Sequence, residues 1–298
     1  MNHIKNIFSI REFEDISGIK AHTIRIWEKR YNLFEPQKTK GNIRRYDISE
    51  LQKVLNVAFL NNNGYRISKI AALSNEELAQ TVRSLVEVDI ENYFLSQLKL
   101  AMYSFDASLF DIVYQEAIAN RTFKEVFLEI YVPLLEFVGY LWQTDSISPA
   151  HEHFVSNLIY QKIQLNTAQL YLPDLQSKQP VYVLFLPERE MHEIGLLYLN
   201  YELKSKGFST IYLGRSISLA HLEKVKAVYA NIIWVCTVTV APPERMLRDY
   251  LEEAKKLTEG TEDQFWMVGQ KLSELGNLSV SSNLKLYLSL KEVLSKFP

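Results

Sequence analysis

The 298-residue chain contains a single cysteine, Cys236, and that scarcity excludes two classes of protein. It leaves no disulfide framework within the chain and no zinc site built on several thiolates, and it suits a reducing compartment. Long apolar runs are missing as well. No stretch approaches the roughly 20 apolar residues of a membrane helix, and the N-terminus lacks a signal-peptide core. A cytoplasmic protein without membrane contact is therefore expected. Enzymatic signatures are also absent: there is no G-x-G-x-x-G, no P-loop and no Ser nucleophile elbow. Where a phospho-acceptor receiver would carry an Asp after its third strand, this chain has Thr237 and Thr239. A non-enzyme is expected.

What is present is enough for real cores, with 47 % apolar and 12 % aromatic residues, and the length suggests two or three domains. The net charge of −2 hides an asymmetry. Residues 1–75 hold 13 Lys/Arg against 7 Asp/Glu, and the remainder holds 20 against 28. A small basic module on an acidic body points to a nucleic-acid contact at one end.

In that module Ser9 and Glu12 fit a capping box for a short helix to about Ile16, followed by a turn at Gly18. A second helix is expected over 22–31, HTIRIWEKRY. Its Ile24 and Trp27 stand at the spacing of a buried stripe, which leaves Thr23, Arg25 and Arg30 pointing largely elsewhere. Two short helices joined by a glycine turn make a helix-turn-helix pattern. The stretch 35–46 then reads as a hairpin turning at Gly41-Asn42, with Lys38, Lys40, Arg44 and Arg45 placed to lie along phosphates as a wing. Asp47 and Glu50 cap a further helix to about Asn61, and 66–73 adds a turn or two. The sequence TIRIWEKRY, followed by NIRRY and NGYRISKI in this order and spacing, resembles the winged-helix DNA-binding domain of the MerR family of transcription regulators. The resemblance covers about 70 residues. It implies that Thr23 and Arg25 reach DNA, and that Tyr31, Arg44 and Tyr46 brace its backbone.

From Ser74 to Leu172 no strand pattern appears. Helical spacing recurs in 93–102, 109–118 and 126–142, and a fourth helix starts at Ser148-Pro149, with Ser as N-cap and Pro at the first helical position. Four antiparallel helices make a bundle, in which Pro133 should kink or break the third. Trp142 ends that third helix, and Glu152-His153 open the fourth.

After Pro180, short apolar runs alternate with helical patterns. Strands are expected at 181–186, 209–213, 231–238 and 265–268. The helices between them run over about 195–206, 218–229 and 242–257, with a last helix near 286–295. This is the pattern of a doubly wound parallel sheet, whose ligands bind at the carboxyl ends of the strands. Those ends carry His192, Gly214, Thr237 and Thr239, Gly269 and Gln270.

EMHEIG, residues 190–195, resembles the D-x-H-x-x-G motif of cobalamin-binding domains, with Glu for Asp. The resemblance implies that His192 ligates cobalt from below. Glu190 or Glu193 would orient the ring, and Gly195 would leave room for the displaced nucleotide tail. The family's hydroxyl motif after strand three stands here as Thr237-Val238-Thr239, and its Gly-Gly after strand four stands as Gly269-Gln270, a departure at the second position. A MerR-like module, a bundle and a cobalamin-like domain in this order resemble the adenosylcobalamin-dependent light-responsive repressors, the CarH/LitR group of the MerR family. There a W-x9-E-H pattern caps the upper face of the cofactor, and Trp142, Glu152 and His153 match it. Gln143 stands where light-sensing members carry a His.

The expected architecture is therefore multidomain α and α/β: a winged helix-turn-helix over 1–75, a four-helix bundle over 76–175, and a doubly wound parallel-sheet (Rossmann-like) cobalamin-binding domain over 178–298. The expected function is a homo-oligomeric transcription regulator of double-stranded promoter DNA controlled by adenosylcobalamin or another cobalamin, with light dependence open. The rivals are a regulator with a decayed cobalamin site that works through protein contacts, a cobalamin-dependent enzyme module, and a sensor of another small ligand.

Overall fold

The computed structural model describes residues 7–39, 41, 43–85, 90–144, 146–170, 180–240, 244–275 and 282–297. The chain forms two compact units, Met1–Leu158 and Ile159–Pro298. No helix among the described residues is long and apolar enough to cross a membrane.

The first unit opens with a short strand, β1 (Ile7–Ser9), and helices α1 (Ile10–Ser17) and α2 (Ala21–Tyr31). Ser9 and Glu12 form the expected reciprocal capping box, and Gly18 closes α1 in the left-handed region at φ 72°. The hairpin is β2 (Gln37–Lys38) and β3 (Arg44–Asp47), and β1 pairs with the other edge of β3 to give the order β1-β3-β2. Asp47 caps α3 (Ile48–Asn62) by accepting from the Glu50 backbone N–H. The Glu50 carboxylate accepts from the Glu35 N–H instead of closing a capping box with Asp47.

Among the described residues, helices then follow without strands: α4 (Ile67–Ile70), α5 (Asn75–Leu85), α6 (Ile90–Ser104) and α7 (Ala107–Ile118). The next helix does not break at Pro133. It runs as α8 (Phe123–Glu125), a π-helical segment Val126–Tyr131, and α9 (Val132–Gln143), with Pro133 in the first turn of α9. Proline lacks an N–H and crowds the preceding turn, and the wide π turn just before it absorbs both demands. Helix α10 (Pro149–Ala168) begins at the expected proline, and the boundary between the two units falls within it.

The second unit is a parallel sheet of β4 (Val181–Phe185), β5 (Thr210–Gly214), β6 (Ile232–Thr237), β7 (Gln264–Val268) and β8 (Leu284–Tyr287), in the order β5-β4-β6-β7-β8. Its helices are α11 (Ile194–Ser205), α12 (Leu219–Lys226), α13 (Glu244–Thr258) and α14 (Leu290–Leu294). The fifth strand corrects the sequence reading, which began a helix near Leu286. The helix is the five residues of α14 alone. Strands β4 and β6 are buried at every position because both sheet faces are covered. Val183, Phe185 and Trp234 pack on one face, and Tyr182, Leu184 and Val235 on the other. Cys236 lies within this core, and burial pushes its thiol pKa up, so it is a packing residue. The chain steps from β4 to β5 on one side and returns to β6 on the other. That places the topological switch point at the carboxyl ends of β4 and β6, where a doubly wound sheet takes its ligands.

Candidate functional site

In the first unit α2 buries Ile24 and Trp27 and exposes Arg25 and Arg30, with Thr23 and Tyr31 half-buried. The Arg30 guanidinium lies 5.4 Å from the centre of the Tyr31 ring, and Thr23 Oγ1 is 3.3 Å from His22 Nε2. Arg45 is exposed on the wing; Lys40 lies outside the described residues. Arg44 and Tyr46 are held inward. Arg44 Nε donates to Glu28 Oε2 at 2.8 Å, and the Tyr46 hydroxyl donates to Glu28 Oε1. Tyr46 is 1 % exposed and stacks on Phe13 at 4.0 Å. Burial, then the bond to Glu28, push its phenol pKa well up. The Glu28 carboxylate thus ties the wing to α2, which leaves Tyr46 no surface for direct contact with DNA.

At the other end of this unit Trp142 is 51 % exposed. Glu152 Oε2 sits 2.6 Å from His153 Nδ1, on a ring that is itself exposed, and Ser156 Oγ donates to Glu152 Oε1 at 2.7 Å. His151, in the first turn of α10, is buried, and Nδ1 of its ring is 2.9 Å from Ser148 Oγ.

The switch point of the sheet is organised by Glu190. Its side chain is 1 % exposed, while that of His192 is 56 % exposed. Oε1 accepts from the backbone N–H groups of Met191 and His192, each at 2.9 Å, and lies 2.7 Å from His192 Nδ1. Oε2 accepts from the N–H groups of Thr239 at 2.7 Å and Val240 at 3.0 Å, on the loop after β6. Burial alone would raise the carboxyl pKa. The bonds from the His192 ring and from the His192, Thr239 and Val240 N–H groups outweigh it and hold the group ionised, well below the usual carboxylate range. An ionised carboxylate only accepts, so the imidazole donates from Nδ1, and in the neutral ring this tautomer places the lone pair on Nε2.

Glu193 belongs to a different contact. Tyr212 donates to its Oε1 at 2.8 Å, and Arg215 Nε lies 2.7 Å from its Oε2. The structure therefore decides between the two acids: Glu190 orients the ring, and Glu193 ties the same turn to β5. Sequence reasoning missed Tyr212 and Arg215, because a Tyr inside a strand and an Arg after a glycine form no pattern of their own.

The remaining residues at this edge divide by burial. Thr237 Oγ1, at the end of β6, is buried and without a hydrogen-bond partner, whereas Thr239 is exposed. Gly195 lies in the first turn of α11, where an added Cβ would sit 3.8 Å from Leu290 of α14, an ordinary contact. Gly269 has a structural reason of its own: a Cβ there would fall 1.8 Å from the Val238 carbonyl oxygen. Gln270 is exposed and begins a 3₁₀ turn, Gln270–Leu275.

A model of the MerR HTH family regulatory proteins matches residues 8–77, and a model of a B12 binding domain matches residues 95–165. The chain carries a MerR-type helix-turn-helix domain followed by a B12-binding domain. It is homologous to two Myxococcus xanthus repressors. It is 25 % identical to the HTH-type transcriptional repressor CarH over 237 residues, 75 % of this chain and 76 % of CarH. It is 29 % identical to the HTH-type transcriptional repressor CarA over 219 residues, 72 % of this chain and 70 % of CarA. The monomethylamine corrinoid protein of Methanosarcina barkeri matches in fold, with a TM-score of 0.55 at 13 % identity, over 69 % of this chain and 97 % of that one. Trp142, Glu152 and His153 lie inside the B12-binding stretch.

The donor set at the sheet edge fits a corrinoid. An exposed imidazole whose Nδ1 is bonded to a buried carboxylate has the orientation of a metal ligand. A buried hydroxyl without a partner stands at the end of the neighbouring strand.

Proposed function

We propose that this MerR-type regulator controls transcription through cobalamin, specifically adenosylcobalamin, and that it acts as a cytoplasmic DNA-binding protein with no catalytic role. His192 would supply a nitrogen ligand to cobalt, held by Glu190. Thr237, Thr239, Gly195 and Gly269 would line the nucleotide tail, and Trp142, Glu152 and His153 would contribute from the bundle. Thr23, Arg25, Arg30, Tyr31, Lys40 and Arg45 would contact promoter DNA, with Arg44 and Tyr46 stiffening the wing behind them. When bound, cobalamin would supply a metal centre whose ligation is open to change. The protein's part is to bind it with different affinity in different assemblies, since only differential affinity shifts an equilibrium. Homo-oligomers would present several DNA modules at once and so multiply affinity.

The observation that carries this reading is the 2.7 Å contact between Glu190 Oε1 and His192 Nδ1 on an exposed ring. The test is to titrate adenosylcobalamin into the full chain in darkness, recording visible spectrum, solution mass and promoter affinity, and then to repeat after illumination. The proposal expects a base-off, His-on spectrum with changed mass and DNA affinity; a spectrum identical to free cofactor would overturn it. Light dependence is expected to be weak or different in kind, because Gln143 offers no imidazole.

A second reading, a MerR-type regulator working through protein contacts, is favoured by Gln270 and by Leu290 packed over Gly195. It predicts promoter binding that ignores every corrinoid.

A further inference from the structure

The turn bearing His192 is fastened on two sides, and the second fastening leaves an arginine at the ligand edge. Glu193 follows His192 directly. Its carboxylate is 9 % exposed, and Arg215 Nε, whose side chain is 48 % exposed, meets it at 2.7 Å. Tyr212 fills the other oxygen at 2.8 Å; burial and then this bond push the Tyr212 phenol up. Arg215 follows Gly214, the last residue of β5, which pairs directly with β4. Gly214 adopts φ 77°, and a Cβ there would lie 3.6 Å from Glu193 Oε1. Glycine therefore lets the strand end turn beside the carboxylate.

We propose that Arg215 is a specificity-determining contact that donates hydrogen bonds to the amide-bearing rim of a corrin ligated through His192. This rests on the cobalamin reading above. Neighbouring Cα atoms lie about 3.8 Å apart, so the Arg215 guanidinium is only one residue step and one carboxylate bridge from the proposed ligand. A corrin lying across the carboxyl edge carries carboxamide arms around its perimeter, and their carbonyl oxygens are acceptors. Arginine has five N–H donors in a planar fork, and the contact with Glu193 engages Nε. Holding Nε also reduces the conformational freedom that a long side chain loses on binding. The rival role is a partly exposed ion pair that only neutralises Glu193, and pairs of that kind contribute little.

The test uses the full chain with hydroxocobalamin and with cobinamide, which keeps the corrin amides and lacks the nucleotide tail. Arg215→Gln should weaken both ligands about tenfold, which is about 1.4 kcal/mol, with an unchanged spectrum at saturation. Arg215→Lys should recover only part of the loss. Glu193→Gln should also weaken both ligands, and the double variant should bind no more weakly than the worse single one, because the two residues act as a unit. Wild-type affinity of Arg215→Gln for both corrinoids would overturn the contact. So would a weakened variant whose saturated spectrum has lost its His-on form, since Arg215 would then act on the turn and not on the rim. If the wild-type chain binds neither corrinoid, it is the cobalamin reading itself that falls.

Discussion

Two buried carboxylates do comparable work in the two units, with opposite results. Glu28 is satisfied by side chains, those of Arg44 and Tyr46, and the bonds close a surface by drawing two wing residues inward. Glu190 is satisfied largely by backbone N–H groups from two loops, and its bond to His192 leaves a half-exposed imidazole on the outside. The first joint ties the wing to α2, behind the residues proposed to contact DNA. The second orients the imidazole proposed as the cobalt ligand. The difference follows from the donors. A phenol has a single O–H, and Glu28 takes that of Tyr46, whereas an imidazole bonded at one nitrogen keeps chemistry at the other.

The comparison should break first at Glu190. Glu190→Ala leaves the backbone donors of two loops without their acceptor, and stability is expected to fall by about 3 kcal/mol, read as a lower midpoint in urea. Its pH dependence has a fixed sign. The folded-state pKa is depressed, so the stabilisation is complete above the unfolded value near 4.5 and is lost as pH falls below it. Glu190→Gln should flatten the acid limb of the stability profile between about pH 4.5 and pH 2.

Next in size is the effect at α2. Arg25→Ala should weaken promoter binding by about tenfold or more without changing the melting temperature. Glu28→Gln should cost about 1–2 kcal/mol of stability and weaken promoter binding by a smaller factor, because the wing is loosened and no contact is removed. Equal losses of DNA affinity in the two variants would erase the distinction between bracing and reading. The smallest effect is expected at Arg45→Ala, which should lower the slope of log affinity against log salt by about one.

Much of this could be read from the residues. Capping pairs such as Ser9 with Glu12 act over three positions and are visible in any window. Fully buried strands such as β4 and β6 stand out as short apolar runs between turn residues. The fifth strand was hidden because LKLY, Leu284–Tyr287, is a four-residue edge strand with a lysine in it, and its pairing with β7 is a long-range fact. The π turn before Pro133 was hidden because proline announces a disruption without saying how the chain meets it. At the site, the residue types in EMHEIG marked the turn, but Glu190 and Glu193 both stood within two residues of the imidazole in sequence. Only the loops after β5 and β6, which supply the partners of each acid, separate their roles. The inward turn of Arg44 and Tyr46 was illegible for the same reason, since Glu28 lies 16 and 18 residues away in sequence.

The central claim is that the His192 ring nitrogen ligates cobalt, and it can be measured directly. The protein is labelled with ¹⁵N-histidine, loaded with cobalamin, reduced to the Co(II) state, and examined by electron paramagnetic resonance. Ligation by His192 predicts that the axial-nitrogen splitting changes from a triplet in unlabelled protein to a doublet on labelling, and that the doublet disappears in His192→Ala. A triplet that survives labelling, or a doublet that survives His192→Ala, would contradict the account.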